Sequence, residues 1–258
     1  MMDIVAYNRT AWANEVKKEN IWTQPVDTKT IQRAKNGDYE LVLTPKKPVP
    51  KDWIGDVLGK KVLCLACGGG QQGPVFAALG AAVTVFDNCP EQLEKDAEVA
   101  KREGLCIELV QGDMRDLSCF ADKSFDLIFH PVSNCFAPSI GQVWKECHRV
   151  LKGGGALLAG FINPVMFIFD MDEWDEGRLA VRYSIPYADT EQLPKERLQE
   201  VIDGGEPLEF GHSLQDQIGG QIDAGFLIAG FYDDNGNNLL DDYIPSFVCT
   251  RAIKAGAD

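Results

Sequence analysis

The sequence predicts a doubly wound α/β domain, a mostly parallel seven-stranded sheet ending in a C-terminal antiparallel hairpin. Three observations carry that prediction. Short apolar runs alternate with amphipathic stretches between residues 61 and 162, the pattern of strands joined by crossover helices. One run, KVLCLAC, leads directly into Gly68, Gly69 and Gly70, and a helical pattern follows. The last two strand-like runs, FLIAGFY and YIPSFVCTRAIK, have no helix between them, so they must pair antiparallel.

In chain order, residues 1–59 read as an N-terminal helical extension, or lid. A helix is expected over 3–19, with Ile4, Tyr7, Ala11 and Trp12 near one face, and a shorter one over 28–36. The proline-rich LTPKKPVPKDW connects them to the main domain, 60–258, which is Rossmann-like. There KVLCLAC is a buried strand, and QQGPVFAALG a helix closed by Gly80. AVTVFD is the second strand, and 90–104 a helix that starts at Pro90 and ends at Gly104. IELVQGD and FDLIFHP are strands three and four, 143–155 a helix with a glycine stop, and ALLAGFI strand five. Residues 165–211 break the rhythm and read as a cap insertion, with VRYSIPY as a strand and LPKERLQEVI as a short helix. HSLQDQIGGQIDAG then reads as helical, and Asn235-Gly236 suits a tight reversal before the final strand.

Composition narrows the function. With 45% apolar residues in 258, the chain can bury a core. A net charge of −14 repels phosphate backbones, which argues against a nucleic-acid partner. The segment MMDIVAYNRT lacks a basic-then-apolar signal pattern, and the greasiest stretch, 156–169, is too short for a bilayer and is broken by Asn163-Pro164. The expectation is a cytoplasmic protein with no membrane partner and eight reduced cysteines. Cys64-x-x-Cys67 resembles a metal or redox pair, but residues three apart on a strand face opposite sides, so no shared metal is expected. DDNGNNLLDD lacks the order of a calcium loop, and no catalytic metal is expected.

Gly68-x-Gly70-x-x-Gly73 follows a strand and opens a helix, and Asp87 closes the next strand, where an acid can accept hydrogen bonds from ribose hydroxyls. A nucleoside-bearing ligand is inferred. Alone, this pattern also fits an NAD(P)-dependent oxidoreductase. Three further features tip the balance: the unbroken glycine block, the strand ending Gly112-Asp113-Met114, and SFDLIFHPVSN followed by VWKECHRVLKGGGALLAGF. On these residues the chain resembles the class I S-adenosylmethionine-dependent methyltransferases, most closely their small-molecule and quinone-type members.

That resemblance implies methyl transfer from the sulfonium of S-adenosylmethionine to a small-molecule acceptor, in line and without a covalent enzyme intermediate. It implies that Ala66, Cys67, Gly68, Gly69 and Gly70, with Gln71 and Gln72, surround the methionine part of the ligand. Asp87 with Asn88 takes the ribose, Asp113 beside Gly112 takes the adenine amino group, and Met114 flanks the ring. His130 and Ser133 lie where strand four opens onto the methionine. The family's usual acid before the glycines is replaced by Cys64, with Gln71-Gln72 as a candidate substitute. His130 is either a general base or a hydrogen-bonded residue orienting Asn134, which itself could orient an acceptor. Tyr7 and Trp12 from the first helix, Tyr183 and Tyr187 from the cap, and His212 after it are candidates for the acceptor side. A protein that binds the cofactor without turnover is the non-enzymatic alternative.

Overall fold

A computed structural model describes residues 2–256 of the protein. Helix α1 (Ile4–Lys17) starts at Asp3, whose carboxylate accepts from the Ala6 N–H, and α2 (Thr28–Lys35) is capped alike by Asp27. The short α3 (Lys51–Ile54) follows Pro50. The sheet then begins with β1 (Lys61–Leu65), α4 (Gln72–Ala78), β2 (Ala82–Asp87), α5 (Pro90–Glu103) and β3 (Ile107–Gln111). β4 (Phe125–His130), α6 (Gly141–Val150) and β5 (Leu151–Ile162) follow. The chain leaves the sheet through α7 (Met171–Asp175), β6 (Tyr187–Ala188), α8 (Asp189–Gln192), α9 (Lys195–Gly204), β7 (Phe210–Gly211) and α10 (Gly220–Asp223). It returns as β8 (Phe226–Asp234) and β9 (Phe247–Lys254).

The sheet order is β3-β2-β1-β4-β5-β9-β8, parallel from β3 to β5, with β9 antiparallel to both its neighbours. The chain's last strand is therefore not the edge. It inserts between β5 and β8, so its apolar residues are covered while β8 takes the rim. Along β1, Val62 and Cys64 enter the core under α4, and Leu63 and Leu65 enter the core under α6. Both faces are covered, which is why KVLCL is apolar without alternation. The connection reverses between β1 and β4, and the crevice at such a switch point is where ligands bind in open α/β sheets.

Local expectations fail in three places. α6 stops at Val150, and Leu151–Gly155 joins β5 as a bulge: Leu151 pairs with Phe125, and Ala156 with Leu127. The glycines absorb a register shift; they do not end the helix. VRYSIPY is not a strand, because only Tyr187 enters a ladder and Val181 makes a single bridge to Phe169. The helix expected after the cap, by contrast, is present: residues 214–223 are helical, with a π-helical stretch over Gln215–Gly219 that runs directly into α10. Cys64 and Cys67 share one core cluster, because the strand ends at Leu65 and Ala66 turns left-handed at φ +47°. Among the described residues, no group of three or more His, Cys, Asp or Glu could hold a metal ion. Nor is any helix there long and apolar enough to cross a membrane.

Candidate active site

After Ala66 the chain makes a turn almost without side chains. Gly69 and Gly70 adopt φ +113° and +71°. A Cβ on Gly69 would stand 2.9 Å from the Trp22 carbonyl oxygen, and one on Gly70 2.7 Å from the Lys95 carbonyl oxygen. The turn is wedged between α5 and the segment after α1, and only bare backbone fits.

Its N–H groups point inward, onto two carboxylates. Gly68 donates to Asp87 Oδ2 at 2.9 Å, and Gly69 and Gly70 donate to Asp96 Oδ2 at 3.1 and 3.0 Å. Cys89 donates to the other oxygen of Asp87 at 2.9 Å. Sequence reasoning missed Asp96, because an acid inside the amphipathic pattern of α5 reads as part of a solvated face. It is fully buried. Burial pushes its carboxyl up to about 8, with the like charge of Asp87 adding and the Gly70 and Gly69 N–H groups opposing. Burial also raises Asp87.

A cavity of about 320 Å³ opens beside this turn, over the carboxyl ends of β1 to β4. Ala66, Cys67, Gly68, Gln71 and Gln72 form its floor. Asp87 and Asn88 meet it from β2, Gly112, Asp113 and Met114 from β3, and Ser133 from the loop after β4. The residues implied to hold the cofactor are thus gathered at one place, apart from Gly69, Gly70 and His130, which lie behind its wall. Several are already engaged. Asn88 accepts from Arg9 Nε at 3.0 Å and donates to the Val5 carbonyl at 2.9 Å, pinning α1 to the end of β2. Gln71 donates to the Ile21 and Gln24 carbonyls, tying down the segment that carries Trp22. Cys67 donates to Gln72 Oε1 at 3.4 Å. Arg115, unnoticed in the sequence, pairs with Asp113 at 2.6 Å.

The opposite wall is apolar. It is built from Trp12 and Phe136, edge to face at 5.0 Å, together with Val42, Leu43, Ile162 and Phe247. The proline-rich connector therefore lines the cavity as well as linking two parts. From residues 165–211 the wall receives Glu209 alone. Its backbone is fixed on both sides. The Glu209 N–H donates to Asp189 Oδ2 at 2.7 Å, and its carbonyl accepts from the Asp189 N–H at 3.1 Å. Asn8 brackets the preceding Leu208, accepting from its N–H at 2.8 Å and donating to its carbonyl at 3.0 Å. Among the described residues, the Glu209 carboxylate has no hydrogen-bond partner. Burial, Asp189 and Glu206 push it up to about 7.

The remaining candidates lie outside the cavity wall. His130 is fully buried, with Nδ1 2.9 Å from the Leu65 carbonyl oxygen and Nε2 2.9 Å from Asn134 Oδ1. Burial lowers its pKa. Asn134 donates to Gln217 Oε1, and His212 Nε2 lies 2.9 Å from the Ala137 carbonyl oxygen and 3.1 Å from that of Asn134. These groups form a buried hub joining the β4 loop to residues 212–217. Tyr7 donates to the Glu206 carbonyl at 2.9 Å, in a small core with Val201, Leu208 and Phe210. Tyr187 donates to Asp189 Oδ1 at 2.7 Å and stacks on Phe167, with Tyr183 5.4 Å away.

Comparison with known proteins agrees with this geometry. Residues 63–159 match a family described as a methyltransferase domain. The chain is 53% identical over 254 residues to the uncharacterized methyltransferase YbaJ of Bacillus subtilis, covering 98% of this chain and all of that one. A sterol 24-C-methyltransferase of Gibberella zeae is 37% identical over 132 residues, half of this chain but only 33% of that enzyme. An S-adenosylmethionine-dependent methyltransferase structure from Mesorhizobium loti shares the fold, with a TM-score of 0.60, 16% identity, and coverage of 79% of this chain and 95% of that one. A bare glycine turn, acids at the ends of β2 and β3, and full-length kinship to a methyltransferase converge: this chain belongs to the class I S-adenosylmethionine-dependent methyltransferases.

Proposed function

We propose that the protein methylates a small, largely apolar molecule carrying one protic nucleophile, and that Glu209 removes its proton. One observation carries this reading: a cavity polar at the glycine turn and apolar opposite, whose lining includes a carboxylate, Glu209, with no hydrogen-bond partner among the described residues. When bound, S-adenosylmethionine supplies an electrophilic methyl group whose leaving group is a neutral thioether. Asp87 and Asn88 would hold the ribose, Asp113 with Met114 the adenine, and Ala66 to Gln72 with Ser133 the methionine end. Trp12, Phe136 and Leu43 would clamp the acceptor and exclude water. Glu209 would take the acceptor's proton as the methyl group is transferred.

A carboxyl near 7 is suited to that transfer, and its burial beside the like charges of Asp189 and Glu206 favours the neutral product state. His130 and Asn134 would act as supports of the β4 loop, since both ring nitrogens are already occupied. Residues 1–59 would serve as a lid and 165–211 as a cap that delivers Glu209. The sterol 24-C-methyltransferase relative supports a small apolar acceptor, and the charge of −14 argues against nucleic acid. Eight unpaired cysteines suit the cytoplasm.

Release of S-adenosylhomocysteine tests the reading, using apolar phenols, enols, carboxylic acids and amines alongside tRNA and duplex DNA. Turnover is expected with a small acceptor alone. With that acceptor, Glu209→Gln should lower kcat roughly 10²- to 10⁴-fold and remove the rise in rate near pH 7. An unchanged pH profile in the variant excludes Glu209 as the base.

A further inference from the structure

The acid behind the glycine turn has a role that neither the motif nor the cavity wall reveals. Asp96 is delivered from the middle of α5, with the solvent excluded. One of its oxygens, Oδ2, collects two consecutive backbone N–H groups, those of Gly69 and Gly70. The other, Oδ1, has no partner, and a Cβ on Gly73 would stand 3.0 Å from it. No cation offsets the charge: among the described residues Asp96 forms no ion pair, and the adjacent Lys95 turns to Glu98 at 3.4 Å. The titratable groups that face it are Asp87 at the end of β2, which disfavours its ionisation, and Cys67 in the turn itself, whose thiol is pushed up by burial and in part by the charge of Asp96. A buried carboxyl with a like charge beside it costs stability, and a fold gains nothing from it unless the turn needs it.

What the turn gains is definition. Three successive N–H groups, from Gly68 to Gly70, would otherwise form a concave nest that binds an anion such as a pyrophosphate. Here Asp87 and Asp96 fill that nest from inside. The turn's donors are spent, its ligand-facing side is backbone without free N–H groups, and the two acids, when ionised, make its potential negative. That suits the ammonium and sulfonium of S-adenosylmethionine and rejects a diphosphate. We propose that Asp96 is the positioning residue of the cofactor turn: its ionised carboxylate fixes Gly69 and Gly70 in the cofactor-binding shape, so cofactor affinity follows its protonation. Charge-assisted hydrogen bonds to both glycines strengthen as the proton leaves. Cys64, on the neighbouring strand, has no charge to offer, and Gln71 and Gln72 are turned to other partners.

The test is calorimetry of the full chain with S-adenosylhomocysteine, which allows no turnover, from about pH 5.5 to about pH 8.5. Wild-type affinity should rise with pH, with a midpoint well above the ordinary carboxylate range. Asp96→Asn keeps the shape and an acceptor oxygen. It should bind at least about tenfold more weakly at the alkaline end, the scale of lost charge-assisted bonds, and its profile should be flat. Asp96→Glu should recover part of the slope. Asp87→Asn separates the two acids: it should bind weakly yet keep the slope. A flat wild-type profile, or an Asp96→Asn variant with wild-type affinity and slope, overturns the proposal. The wild-type and Asp87→Asn profiles decide it even if Asp96→Asn does not fold. No binding at any pH would instead indict the cofactor assignment, a separate failure. NAD should show no binding to the wild type.

Discussion

Two carboxyls meet at the glycine turn, Asp87 at the cavity wall and Asp96 fully buried behind it, with no ion pair to either among the described residues, and that arrangement couples stability to pH. Asp96 titrates near 8 in the folded chain against an ordinary 3.8. Between those values the folded state holds a proton that the unfolded chain has lost, so stability falls as pH rises. The contribution is intact below about 3.8 and is lost as pH rises through about 8. An asparagine carries no such penalty. Asp96→Asn should therefore melt above the wild type at pH 8, with the difference shrinking toward pH 4, even as it loses cofactor affinity. Parallel melting curves across that range would refute the assignment. A residue whose removal steadies the fold and weakens binding is held for function. The proposed base, Glu209, would be its counterpart on the acceptor side, and residue type alone favoured His130 for that position. The histidine is the better base by its ordinary pKa, but its nitrogens are spent inside the hub.

Elements bring these residues into place through contacts far apart in sequence. α1 is tethered at both ends of the cavity: Arg9 and the Val5 carbonyl hold Asn88, and Asn8 brackets Leu208 while donating to the Phe136 carbonyl. Asn8 is 3% exposed, so its amide is a buried clamp between the helix, the β4 loop and the segment that precedes Glu209. Asn8→Ala leaves those buried partners unpaired and should cost on the order of 2–3 kcal/mol. It should also speed proteolysis between residues 189 and 209, because the segment before β7 loses its tie. Unchanged melting and unchanged cleavage would place the clamp elsewhere. In the sequence Asn8 is one polar position in a helix, and nothing in α1's pattern marks it as buried. α5, by contrast, was bounded to within a residue by Pro90 and Gly104, because caps are local signals. The acid inside it was not recognised, because burial of one helical residue is decided by what lies across from it.

At the scale of the molecule, a cofactor that grips two acids, a glycine turn and the α1 face should stabilise the whole chain. At a hundredfold excess over its dissociation constant, a ligand that binds only the folded state adds about 2.7 kcal/mol. For a chain of this size that is a rise in Tm of roughly 5–10 °C. S-adenosylmethionine and S-adenosylhomocysteine should each produce it in a thermal melt, and NAD should not. The sequence by itself determined the alternation of strands and helices, the antiparallel end of the sheet, the glycine turn and the acid that closes β2. Each of these is written in neighbours a few residues apart, where periodicity, caps and glycine conformations act. It did not determine that β9 would insert beside β5, that the connector at Val42 and Leu43 would line the cavity, that Asp96 would accept from the glycine turn, or that Glu209 would line the cavity. Those follow from pairings such as Asn8 with Leu208 and Gly70 with Asp96, which form only when distant segments close a shared dry space. Burial and the company of other charges, not the local pattern, then set what each acid can do.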